Sequence, residues 1–149
     1  MKYLLTLFTA LIFITSCSNA KPEVKAPDPA LQKIIDTFFK KYESSPSDAI
    51  DYIFSTNKSF MPQQITELKD KLASTALTVG AFNGYEQITT KNTSPSLTLF
   101  SYLAKHDKQP LRFTFIFYKP KEEWILYKFK FDDSIDAELE ESGRIYFIK

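Results

Sequence analysis

The chain reads as an α+β domain: three N-terminal helices packed on a curved antiparallel meander of four or more strands, with a short C-terminal helix. Two patterns and their order predict this. Between Leu111 and Tyr118 the residues alternate, with Leu111, Phe113, Phe115 and Phe117 on one side and Arg112, Thr114, Ile116 and Tyr118 on the other. The alternation returns from Trp124 to Phe131. Period two is the geometry of a pleated strand. Upstream, Leu31, Ile34, Ile35, Phe38 and Tyr42 recur at helical spacing. The helical runs come first and the strand runs follow.

Each element has its own signal. Asp28 followed by Pro29 starts the first helix. Ser45-Pro46, with Asp48 three residues on, starts the second, whose apolar side is Ala49, Ile50, Ile53 and Phe54. The third begins near Pro62 and carries Ile65, Leu68, Leu72, Ala76 and Val79, with Gly80 as terminator. Tyr85 to Lys91 reads as a polar edge strand and Ser96 to Ala104 as a second strand. Lys105 to Pro110 reads as a loop, and Lys119 to Glu123 as the turn between the two aromatic strands. Asp132 and Asp133 cap a short acidic helix that ends at Gly143, and Arg144 to Ile148 is expected as a final strand.

Register follows from parity, because a slip of one residue exchanges the two faces. Pairing Phe117 with Ile125 sets Phe115 opposite Tyr127 and Phe113 opposite Phe129. Pairing Leu103 with Leu111 puts Leu97, Leu99, Ser101 and Leu103 on the helix-covered face. On that face Tyr85, Gln87, Ser101, Phe113, Phe115 and Tyr127 form the expected pocket, an apolar wall with a few polar groups suited to a small apolar ligand. The outer face then carries Phe100, Tyr102, Ile116, Trp124 and Leu126. Apolarity on both faces predicts that something covers the outer one: a second copy, an envelope protein, or the chain's own Ile145-Tyr146-Phe147.

Composition narrows the partners. The 149 residues are 44% hydrophobic and 15% aromatic, enough for one domain with a packed core. Removing residues 1–16 removes Lys2 alone among charged residues, leaving 18 basic and 18 acidic residues. A neutral chain argues against nucleic acid, which is bound through a basic face.

The N-terminus carries an address. Lys2 precedes an apolar run from Leu4 to Ile14, of signal-peptide length and short for a membrane span. The run closes on Ile14-Thr15-Ser16-Cys17, which resembles the bacterial lipobox. That resemblance implies cleavage before Cys17 and acylation of its thiol, so that residues 1–16 are a lipoprotein signal peptide. Residues 17–27 are then a lipidated tether, polar and interrupted by Pro22 and Pro27, and residues 28–149 the domain. Two or more acyl chains anchor a protein stably. The expected location is the cell envelope, with the periplasmic side of the outer membrane favoured because no acidic cluster follows Cys17.

Three amphipathic helices before a meander of aromatic strands resemble the NTF2-like (cystatin-like) α+β cone folds. The resemblance covers about Asp28 to Phe131. It implies a fold shared by isomerases, dehydratases, ligand carriers and purely binding or dimerising domains, so it does not choose among functions. It also implies sheet-to-sheet dimerisation.

No catalytic set is apparent. His106 is the one histidine, read as a solvated loop residue, and no metal ligands or cofactor motif accompany it. The three glycines form no phosphate loop. Asp132-Asp133 reads as helix capping, and no carboxylate falls on the inner face in this register. The sequence therefore points to a membrane-anchored binding or interaction module without cofactor. The alternatives are a small-molecule isomerase or hydrolase, or a carrier of a hydrophobic ligand, using the inside of the cone.

Overall fold

The computed structural model describes residues 28–146. Cys17, the expected signal peptide and tether, and Phe147 onward lie outside them, as do the side chains of Glu141, Ser142, Ile145 and Tyr146. Helices α1 (Pro29–Ser44), α2 (Pro46–Ser55) and α3 (Pro62–Val79) precede strands β1 (Phe82–Ser94), β2 (Leu97–His106), β3 (Leu111–Tyr118) and β4 (Ile125–Asp132). Helix α4 (Ile135–Tyr146) follows. The strands form one antiparallel sheet in the order β1-β2-β3-β4. The α+β class, helices before a four-stranded antiparallel sheet and a short C-terminal helix, is what the structure shows.

The helix boundaries come from local chemistry. The Asp28 side chain accepts from the Ala30 amide at 2.9 Å and caps α1, with Pro29 in the first turn. Ser45 does two jobs. Its extended backbone ends α1 by donating its amide to the Lys41 carbonyl, and its hydroxyl accepts from the Asp48 amide to cap α2. Gly80 ends α3 at φ +92°, in the region that favours glycine. A Cβ added there would sit 3.0 Å from the Asp107 Cβ, tighter than an ordinary contact, so space is short as well.

One face of the sheet is packed with aromatic rings. Phe38 of α1 sits against Phe113 (5.7 Å between centroids), Phe115 (5.1 Å) and Phe129 (5.6 Å). Phe39, the next residue, meets Phe113, Phe115 and Tyr102 and stacks on Tyr85 at 4.0 Å. Aromatic pairs of this kind are worth about 0.5–1.5 kcal/mol each beyond the area they bury. They hold α1 across the sheet, while Phe54 of α2 reaches Phe129 and Lys71 of α3 lies over the Phe131 ring.

The registers differ from the parity expectation in two places. In β2–β3, Phe100 pairs with Phe115 and Tyr102 with Phe113, a slip of one residue. Phe100 and Tyr102, expected outside, are therefore buried against the helices, and Ser101 faces outward. In β3–β4, Phe113 pairs with Phe131 and Phe115 with Phe129, two residues from the expected alignment, and the register shifts again at Ile116/Phe117. Tyr127 is the extra residue of that irregularity. Leu126, expected outside, turns in and is fully buried, while Tyr127, expected in the pocket, is 61% exposed.

Three further expectations are corrected. His106 is the last residue of β2, not a loop residue. Helix α4 runs through Gly143 to Tyr146, so Arg144 to Tyr146 are helical and not the start of a strand. Asp132 does not simply cap α4. It accepts from Arg112 and from the Ser134 amide, while Arg112 also reaches Glu138 on α4 at 2.7 Å. Arg112 thereby ties α4 to the sheet.

The edge of β4 is closed at Leu126. The Thr56 hydroxyl accepts from its amide at 3.0 Å, and the Asn57 side chain donates to its carbonyl at 2.8 Å. Edge groups satisfied this way are not offered to another strand. Two neighbouring residues test the register. Leu126→Ala should cost about 2–5 kcal/mol of stability in urea unfolding, whereas Tyr127→Ala should stay within about 0.5 kcal/mol. Equal costs would refute the bulged register.

Candidate groove at the rim of the sheet

The pocket expected on the helix-covered face is filled. Phe113 and Phe115 are fully buried against α1, and Tyr127 and Ser101 are not on that face. Tyr85 and Gln87 are on it, at its margin. The Tyr85 hydroxyl donates to Asp36 at 2.7 Å, and burial, reinforced by that carboxylate, pushes its pKa up to about 12. The Tyr102 hydroxyl has two acceptors in reach, Gln32 at 3.1 Å and Gln87 at 3.2 Å. Of the outer-face set, Ile116 is half-buried on the outer face. Trp124 instead packs against the core and donates its indole N–H to Asp28 at 2.9 Å.

The space lies at the rim, where the end of α1, the start of α2, the last turns of α3, the start of β1 and the end of β2 meet. It is an open groove of about 530 Å³, lined by Tyr42, Glu43, Pro46, Ala73, Ala76, Leu77, Gly80, Ala81, Phe82 and His106. Small residues on α3 and at its end leave the room. Leu77, on the rim, is 84% exposed. A second, more polar groove adjoins it, lined by Asp36, Phe39, Lys40, Glu43, Phe82, Asn83, Gly84 and Tyr85. Glu43 and Phe82 border both.

The floor of the apolar groove is a Tyr–His pair. Tyr42 Oη and His106 Nε2 are 3.0 Å apart, and His106 Nδ1 lies 3.3 Å from the Ala104 carbonyl. A carbonyl only accepts, so Nδ1 carries the proton and Nε2 accepts from the Tyr42 hydroxyl. Burial lowers the His106 pKa against the opposing pull of the Ala104 carbonyl and of Asp107. Burial likewise raises that of Tyr42. Both groups are thus held neutral, with both ring nitrogens engaged. Each side chain is the other's hydrogen-bond partner across the floor.

Beside the groove, the β2–β3 loop is latched to the end of α3. The Asp107 amide donates to the Ala81 carbonyl and the Lys108 amide to the Val79 carbonyl. The Asp107 carboxylate accepts from Asn83 Nδ2 at 2.8 Å and from the Ala81 amide at 3.2 Å, bonds that hold its pKa below the usual carboxylate range.

Sequence reasoning misses His106 because a second strand ending at Ala104 leaves it in the loop. Tyr102, Ala104 and His106 share the parity of Phe100, so the correct face for β2 delivers His106 to the helix side. Among the described residues, no group of three or more His, Cys, Asp or Glu is placed to hold a metal, and no helix is long and apolar enough to cross a membrane. No family model, no curated protein and no solved structure matches the chain.

The His106 environment sets a pH dependence. Its folded pKa lies below the ordinary 6.5, so below that pH the unfolded chain takes up a proton that the folded chain refuses. Stability from this group is complete above about pH 6.5 and is lost as the pH falls toward the folded pKa. Thermal melts between neutral and mildly acidic pH should therefore fall more steeply in the native chain than in His106→Gln. Identical slopes would show that the ring is free to protonate in place.

Proposed function

We propose that this chain is a membrane-tethered, non-catalytic binding module of the bacterial envelope, and that its ligand seats an apolar group in the rim groove. The observation that carries the reading is the groove itself: open, apolar-walled, and floored by two neutral polar groups that bond to each other. A concave apolar surface with a few fixed polar groups is the usual form of a small-ligand site. The engaged nitrogens of His106 and the protonated Tyr42 hydroxyl favour binding over proton transfer. An enzyme or carrier working inside the cone has less support, because α1 rings occupy that space. The lipobox-like Ile14-Thr15-Ser16-Cys17 supports the tether and the envelope address.

Kinship to the NTF2-like folds belongs to the same proposal. Helices preceding an antiparallel meander, with α1 laid across one face, support it. The lack of any strand between α1 and α3 departs from that family's usual interleaving.

Two measurements test the reading. The neutral dye N-phenylnaphthylamine should brighten saturably on the folded domain, with one dye bound per chain. Ala76→Phe, which fills the groove, should abolish the signal without loss of thermal stability. Undiminished brightening in a folded Ala76→Phe protein would place binding elsewhere. Separately, Cys17→Ser should release the chain from membranes and end acyl labelling; continued membrane association would rule out the lipid anchor.

One observation favours a second, compatible reading, self-association through the outer sheet face. Leu97, Leu99, Leu103 and Ile116 are half-buried there around Ser101. A second copy laid on this face supplies apolar cover for these side chains. Sedimentation should then show a dimer that Ile116→Glu converts to a folded monomer; a native chain that is monomeric at high concentration would refute it.

A further inference from the structure

Glu43 is the one formally charged residue lining the apolar groove, and it stands where that groove meets the polar one. Its carboxylate is exposed and makes no hydrogen bond or ion pair within the described residues. Its opposite-sign neighbour, Lys40, lines only the polar groove, which Asp36 also lines. Asp36 lies outside the apolar groove, and its Oδ1 accepts from both Gln32 and Tyr85. His106, the other group in the apolar groove able to carry charge, is engaged on both nitrogens. An apolar trough with one free carboxylate at its mouth is complementary to a molecule of one shape: an apolar body ending in a cation.

We propose that the groove binds small amphiphilic amines, with the hydrocarbon portion over Ala76, Leu77 and Phe82 and the ammonium group at Glu43. This rests on the groove being the ligand site, and it adds the chemical class of that ligand. The apolar contact supplies most of the affinity, since burial is roughly proportional to apolar area. The carboxylate supplies selectivity. Electrostatic complementarity distinguishes partners more than it tightens them, and an exposed pair of this kind favours the cation by about threefold to fivefold at low salt.

Octylamine, octanol and octanoate share one hydrocarbon chain and differ only in the end group. Each is titrated into the isotope-labelled domain at neutral pH and low salt, and amide shifts of Ala73, Ala76, Gly80 and Phe82 are followed by NMR. Octylamine should bind more tightly than octanol and octanoate most weakly. Glu43→Gln should bring octylamine to the affinity of octanol without changing the octanol value. Added salt should have the same effect on the native chain. If the three bind equally, or Glu43→Gln leaves the order intact, the amine proposal is overturned while the groove stands. If none moves these amides, the groove reading itself fails with it.

Discussion

The packing of Phe38 and Phe39 against the sheet is the constraint on which the rest of this molecule depends. Two adjacent residues on α1 send rings among Tyr102, Phe113, Phe115 and Phe129. Rings this large leave no ligand-sized space between helix and sheet, since interiors are packed about as densely as organic crystals. The space between α1 and the sheet is therefore a solid core. Open space is displaced to the margins, where helices end and the sheet is no longer covered. The polar groups that meet α1 do so at its edges: Tyr85 on Asp36, Tyr102 beside Gln32 and Gln87, and Tyr42 on His106.

Much of this was legible in the residues. The helix caps at Asp28 and Ser45, the glycine stop at Gly80 and the alternation of β3 all announce themselves locally, because each depends on a few neighbouring atoms. The faces of β2 and β4 do not. Leu97, Leu99 and Leu103 compete with Phe100 and Tyr102 for the interior, and alternation alone cannot say which set wins. The aromatic set wins because α1 offers rings to meet it, a fact located some sixty residues upstream. In β4 the irregularity at Tyr127 breaks strict alternation, so that Leu126 and Phe129, three residues apart, share a face. Extra residues of this kind have weak sequence signatures when no glycine marks them.

The same ambiguity hid the groove. A β2 read in the wrong parity ends at Ala104 and leaves His106 in solvent. In the right parity His106 extends the inward row by one residue and meets Tyr42. A lone histidine in a charged stretch, Lys105-His106-Asp107-Lys108, carries no local sign that it is half-buried. Only the long-range pairing of β2 with β1 and β3 reveals it.

The groove has a structural cause that is independent of any ligand. Helix α3 must end where β1 begins, and the two are joined through Gly80 and Ala81 with no intervening loop. Gly80 must be small because Asp107 crowds it, and Asp107 must be there because its carboxylate holds the amide of Ala81 and the side chain of Asn83. Ala76 and Ala73 face the same corner one and two turns back. Larger side chains at these positions would fill the corner and bury more apolar area, gaining about 25 cal/mol for each Å². The chain forgoes that gain and leaves Leu77 exposed above the gap. A corner left open at a cost in stability, floored by a neutral Tyr–His pair and bordered by an uncommitted carboxylate, is better accounted for by something that enters it than by the folding of the chain alone.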